Sequence, residues 1–168
     1  EARAVDEAIA RGETPGLLCG VPVGIKDVTP VAGVRTTYGS PIFANHIPSE
    51  DALIVQRLRR AGAVIVGKTN CPEFAAGGNT FNEVFGRTRN PWDPSKSAGG
   101  STGGGAAGLA TGMIALAEGT DLGGSLRIPA SFCGVAGMRP SVGLVPTSPS
   151  GWLWDTLQVS GPMGRAVE

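Results

Sequence analysis

Short apolar runs, punctuated by glycine and proline, set the rhythm of this chain. Residues 21–25 (Val-Pro-Val-Gly-Ile) and 63–67 (Ala-Val-Ile-Val-Gly) are uninterrupted apolar segments of strand length, the pattern of strands covered on both faces. Between them, Leu53, Ile54 and Leu58 form an apolar stripe at helical spacing. Ser49 is expected to cap this helix, with Glu50 and Asp51 at the positive end of its dipole. Arg57, Arg59 and Arg60 suit the negative end, and Gly62 stops it. Strand, helix and strand in this order predict a βαβ unit, so the sheet is at least partly parallel.

The same reading extends to both ends. Residues 1–11 are expected to be helical, with Val5, Ala8 and Ile9 on one face and Gly12 as the stop. A turn with one helical twist is expected after Pro72. Residues 79–97 are polar and broken by Asn90-Pro91 and Asp93-Pro94. They read as a long ordered loop, the kind that often carries function. Residues 103–110 read as a helix, 113–117 as a buried strand, and 135–138 and 142–145 as further short strands. Trp152 and Trp154 sit in a loop, where they can line a hydrophobic entrance or pack into a core.

Composition narrows the function. The chain has 168 residues and a formal net charge of zero, with 14 basic and 14 acidic side chains. Such a balance offers no field to attract nucleic acid. No apolar run approaches the roughly 20 residues of a membrane span, and no signal peptide is visible. Cys19, Cys71 and Cys133 are widely spaced and odd in number, so neither a disulfide framework nor a zinc knuckle is expected. Three reduced thiols suit a cytoplasmic protein. Glycine, at 27 residues, is clustered. The clusters surround two serines, in Gly99-Gly-Ser101-Thr-Gly-Gly-Gly105 and in Gly119-Thr-Asp-Leu-Gly-Gly-Ser125. The apolar crossover of residues 106–118 joins them and can bring both hydroxyls to one site.

Three familiar motifs match by letter and fail by context. Gly103-Gly-Gly105-Ala-Ala-Gly108 fits a dinucleotide loop, but Pro94-Ser-Lys-Ser-Ala98 precedes it where a buried strand belongs. A phosphate-binding Walker loop needs lysine and a hydroxyl residue after its last glycine, and Ala106-Ala107 are there instead. Gly99-Gly-Ser101-Thr-Gly103 fits a nucleophile elbow, which requires a later histidine. The only histidine, His46, comes earlier and reads as a surface loop residue. Catalytic serines here would need another base, and a desolvated lysine can serve. Lys26, at the end of a buried strand, is the best placed. Lys68 follows a similar strand and competes, whereas Lys96 reads as solvated.

Four stretches together resemble the amidase signature family. They are Gly-Ile-Lys26-Asp, Asn90-Pro-Trp-Asp-Pro, Gly99-Gly-Ser101-Thr-Gly-Gly and Gly119-Thr-Asp-Leu-Gly-Gly-Ser125-Leu-Arg-Ile-Pro-Ala-Ser-Phe-Cys-Gly134. The resemblance covers nearly the whole chain. It implies an α/β fold with a mixed sheet flanked by helices, and hydrolysis of a small-molecule carboxylic amide through an acyl-enzyme. By motif position, Ser125 resembles the nucleophile, Ser101 the bridging serine after a cis peptide bond, and Lys26 the neutral base. The N–H groups of Leu122, Gly123, Gly124 and Ser125 resemble the oxyanion hole, and Ala75, Ala76 and Gly77 the turn beside the substrate carbonyl. No cofactor or metal is implied, nor direct contact with nucleic acid or membrane; a homo-oligomer is compatible with it. Asp121 and Arg127 are expected to form a supporting ion pair.

The chain departs from the family pattern at Thr102, where a second serine is usual, and at Met138-Arg139-Pro140, where Leu-Lys-Pro is commoner. Arg139 is assigned a structural role. Family members are normally more than twice this length, so residues 1–168 are expected to be a single segment, the catalytic core of such a domain without its N- and C-terminal parts. A second reading is the glutamine-hydrolysing component of a tRNA-dependent amidotransferase. Residues 141–149 resemble general amidases more than that component. The third and most distant reading is a non-enzymatic nucleotide-binding module.

Overall fold

A computed structural model describes residues 1–13, 16–151 and 154–167. Its centre is a mixed five-stranded sheet. Strand β1 (Pro22–Lys26) pairs in parallel with β2 (Val64–Thr69) on one side. On its other side it pairs in parallel with β5 (Leu116–Asp121). Strand β7 (Val159–Gly164) runs antiparallel to β5, and β6 (Ala136–Gly137) runs antiparallel to β7. The spatial order is β2-β1-β5-β7-β6. Two-residue strands β3 (Phe81–Asn82) and β4 (Gly86–Arg87) make a separate hairpin within the loop expected over 79–97.

Two apolar clusters lie on opposite faces of the sheet. Val23, Ile25 and Val55 belong to one, with helix α2 (Leu53–Arg60) and Leu116 packed into it. Leu109, Ala117, Leu126 and Met163 belong to the other, under helices α3 (Gly103–Ala110) and α4 (Arg127–Cys133). Leu116 and Ala117 enter different clusters because successive strand residues point to opposite faces. Helix α3 can lie this close to the sheet because of its glycines: a Cβ on Gly104 would sit 2.7 Å from the Asn70 carbonyl oxygen.

Several expectations change. Helix α1 (Ala2–Ala10) forms but buries no residue, and Ile9 on its apolar face is exposed. Ser49 does not cap α2; Ala52 holds that position, and Asp51 instead accepts the Ala32 N–H at 2.7 Å and pairs with Arg59. The strand expected over 113–117 begins and ends later, as β5, and Met113 is exposed. Residues 142–145 form a turn, with Leu144 exposed, and β7 supplies a strand that the apolar pattern does not predict. Trp154 is 93% exposed and so is not core, and Trp152 lies outside the described residues. His46 is exposed, as expected, and Cys19, Cys71 and Cys133 are free. Among the described residues, no helix is long and apolar enough to cross a membrane.

Candidate active site

The carboxyl ends of β1 and β5 are neighbours, and the site forms there. Strand β1 ends on Lys26, which is fully buried. Its Nζ lies 2.7 Å from Ser101 Oγ and 2.8 Å from Thr120 Oγ1. Ser101 follows a cis peptide bond from Gly100 and closely precedes the N-terminus of α3. The Thr102 N–H donates to the Ser125 carbonyl at 3.1 Å, which fastens one serine loop to the other. A cavity of about 400 Å3 opens over both serines. Ser101, Thr120, Leu122, Gly123 and Ser125 line it together with the turn of Ala75, Ala76 and Gly77. Of the residues singled out in the sequence, Lys26 and Gly124 do not line the cavity; Lys26 touches it through its bond to Ser101.

Asp121 shapes that wall. Its carboxylate accepts the N–H groups of Gly124 at 2.8 Å and Leu126 at 3.1 Å. Arg127 pairs with it at 3.0 Å and Arg139 at 3.2 Å. Burial alone would push this carboxyl up, but the bonds from Arg127 and the two amides outweigh it and hold it well below the usual carboxylate range. The expected ion pair is present, and Arg139 is its second cation. The Gly124 N–H is thus engaged by Asp121.

Burial lowers the Lys26 pKa from 10.5 to about 8, against the opposing pull of Cys71, Glu118 and Asp121. The adjacent Asp27 carboxylate is engaged elsewhere, by the Thr37 N–H at 3.1 Å. Lys68 is lowered to about 8 for the same reason, burial. Basicity therefore does not distinguish the two lysines, but position does. The Lys68 side-chain nitrogen lies on the Thr29 carbonyl and on Thr36 Oγ1, and neither partner is a serine. The neighbouring Cys71 thiol is raised by burial to about 11, which keeps it protonated and unreactive. Among the described residues, no group of three or more His, Cys, Asp or Glu side chains is placed to hold a metal ion.

Sequence reasoning missed two members of this cluster, Thr120 and Glu118. The buried Glu118 carboxylate accepts the Lys26 backbone N–H at 3.2 Å and the Thr29 hydroxyl at 3.1 Å. A signal for both was available: Glu118 is the first charge after a long apolar run, and a strand through it places Thr120 on the same face.

Comparison with known proteins gives the family and the fold. A family model described as Amidase matches residues 1–168. The chain is 52% identical over 167 residues to a glutamyl-tRNA(Gln) amidotransferase component from Carboxydothermus hydrogenoformans, covering 99% of this chain and 34% of that one. Among solved structures, native peptide amidase from Stenotrophomonas maltophilia superimposes with a TM-score of 0.87 at 36% identity, over 98% of this chain and 34% of that one. A bacterial aryl acylamidase of the amidase signature family gives a TM-score of 0.89 at 34% identity, over 97% and 34%. The chain thus spans about a third of the length of the relatives it matches. With its whole sequence matched and its fold shared, this chain belongs to the Amidase family.

Proposed function

We propose that these residues are the reaction centre of an enzyme that hydrolyses a carboxylic amide through an acyl-serine intermediate. The observation that carries this reading is the Lys26 Nζ, buried and 2.7 Å from the Oγ of Ser101, a serine that lines one cavity with Ser125. In acylation, Ser125 Oγ attacks the substrate carbonyl carbon. Its proton passes to Ser101 Oγ while the Ser101 proton passes to Lys26 Nζ. The carbonyl π pair moves onto oxygen, where the N–H groups of Leu122, Gly123 and Ser125 stabilise it; one such donor is worth about 3 kcal/mol of barrier. Gly124 leaves the expected set of four donors because Asp121 already takes its N–H. Collapse of the intermediate breaks the C–N bond, and the proton returns through Ser101 to the leaving nitrogen. Water then repeats the sequence on the acyl-serine and releases the acid.

A cavity of about 400 Å3 suits a small-molecule amide. A second reading is favoured by one observation: relatives at 52% and 48% identity are named as components of glutamyl-tRNA(Gln) amidotransferase. On that reading glutamine is the amide and partner proteins receive the ammonia, in the cytoplasm. Glutamine hydrolysis that appears only with those partners supports it; turnover of simple amides by the full-length protein alone supports the general amidase.

The mechanism is tested in the full-length protein with a fluorophosphonate, which captures an activated serine. Labelling is expected on Ser125 and lost in Ser125→Ala. Labelling of Ser101, with Ser125 unmodified, would reverse the two roles.

A further inference from the structure

The proton that Lys26 accepts creates an ammonium inside the protein, and such a cation is costly unless a carboxylate faces it. We propose that Glu118 is a positioning residue for Lys26: a buried counter-ion that stabilises the ammonium formed during acylation. The inference rests on the mechanism proposed above and adds a fourth member to it.

The geometry supports the assignment. Strands β1 and β5 are hydrogen-bonded neighbours, with Ile25 opposite Glu118. Glu118 is 4% exposed and Lys26 is 0% exposed. One carboxylate oxygen holds the Lys26 backbone N–H and the other holds the Thr29 hydroxyl, so the side chain is fixed on the lysine's own residue. The other groups facing this pair do not replace it. Cys71, just after β2, keeps its proton because burial raises its thiol. Asp121, at the end of β5, is already matched by Arg127 and Arg139. Lys68, from β2, is held on Thr29 and Thr36, and Asp27 is held by Thr37. Helix α3 and strand β7 carry no charged residue. Of the two buried carboxylates without an ion pair among the described residues, Asp27 is bonded to Thr37 and Glu118 is the one hydrogen-bonded to the Lys26 residue itself. Burial raises its carboxyl above the usual carboxylate range, and the Thr29 hydroxyl and the positive charge of Lys26 offset only part of that rise. The logic parallels the carboxylate behind histidine in a serine triad, which stabilises the cation without itself taking the proton.

The test is the pH dependence of fluorophosphonate labelling at Ser125 in the full-length protein. Glu118→Gln keeps the shape and removes the charge. Lys26 then releases its proton more readily, so the rising limb should move down by about one pH unit. The plateau should fall by up to about tenfold, because the same interaction is missing when the ammonium forms. Glu118→Asp keeps the charge and should leave the midpoint near that of the parent. If Glu118→Gln does not fold, Thr29→Val removes a donor from the carboxylate and should shift the limb in the same direction by less. A lower plateau with an unmoved or raised midpoint would overturn the inference, since a purely structural role lowers the rate without moving the limb. Labelling that persists in Ser125→Ala would instead overturn the mechanism on which it rests.

Discussion

A base must be neutral to accept a proton, and the charge state of Lys26 can be worked out from its surroundings. With a pKa of about 8, roughly one molecule in eleven carries a neutral Lys26 at pH 7. At the value of 10.5 for free lysine it would be about one in three thousand. Burial therefore supplies about 300-fold more of the neutral amine. Acylation is expected to rise with pH along a limb centred near 8 and level off above it. Lys26→Ala should lower kcat and kcat/KM together by about 10²–10⁴-fold, the range for loss of a general base. Lys26→Arg should not rescue, because guanidinium stays protonated. The same depression opposes folding. Between pH 8 and 10.5 the unfolded chain holds the lysine proton and the folded chain does not, so this contribution rises with pH. It costs about 3 kcal/mol below pH 8 and fades toward 10.5. The assay is the pH–rate profile of the full-length protein, with Lys68→Ala as a comparison that should retain the profile. A limb centred near 10, or loss of turnover in Lys68→Ala with Lys26→Ala unimpaired, would refute the reasoning.

Four further outcomes concern the frame around the site. Gly124→Ala should destabilise by about 1–3 kcal/mol, because its φ is +112° and a Cβ would sit 2.8 Å from Ile128 Cδ1. Gly123→Ala meets nothing within 4 Å and should leave the melting temperature nearly unchanged; calorimetry on both variants checks the contrast. Gly119→Ala should also cost about 1–3 kcal/mol, since its Cβ would lie 2.7 Å from the buried Thr102 hydroxyl; it should slow Ser125 labelling as the serine loops separate. Asp121→Asn keeps an acceptor but loses the charge that Arg127 and Arg139 answer. It should cost about 1–3 kcal/mol, with Arg127 half exposed and so partly screened, and should reduce the labelling rate.

Local pattern was sufficient for part of this protein. The apolar runs at 21–25 and 63–67 with a helical stripe between them determined a parallel βαβ unit, because period and length are properties of the chain itself. Glycine on both sides of Ser101 and before Ser125, and a lysine ending a buried strand, made the candidate chemistry legible, and the structure brings the two serines to one cavity with Lys26 Nζ on Ser101. Where local pattern and packing disagreed, packing decided. The run 142–145 is apolar enough for a strand but forms a turn. The sequence Val-Ser-Gly-Pro-Met-Gly, poor in strand formers, becomes β7 because β5 offers it an edge to pair with. Glu118 and Thr120 look like the start of a polar loop, yet β1 and β7 on either side hold them in β5. The sequence already placed Lys26 ahead of Lys68 by strand end and motif; the tertiary structure adds that Lys26 Nζ bonds Ser101 whereas Lys68 Nζ bonds Thr29 and Thr36. The sequence determined which groups were available for the chemistry; the meeting of two strand ends determined which of them touch.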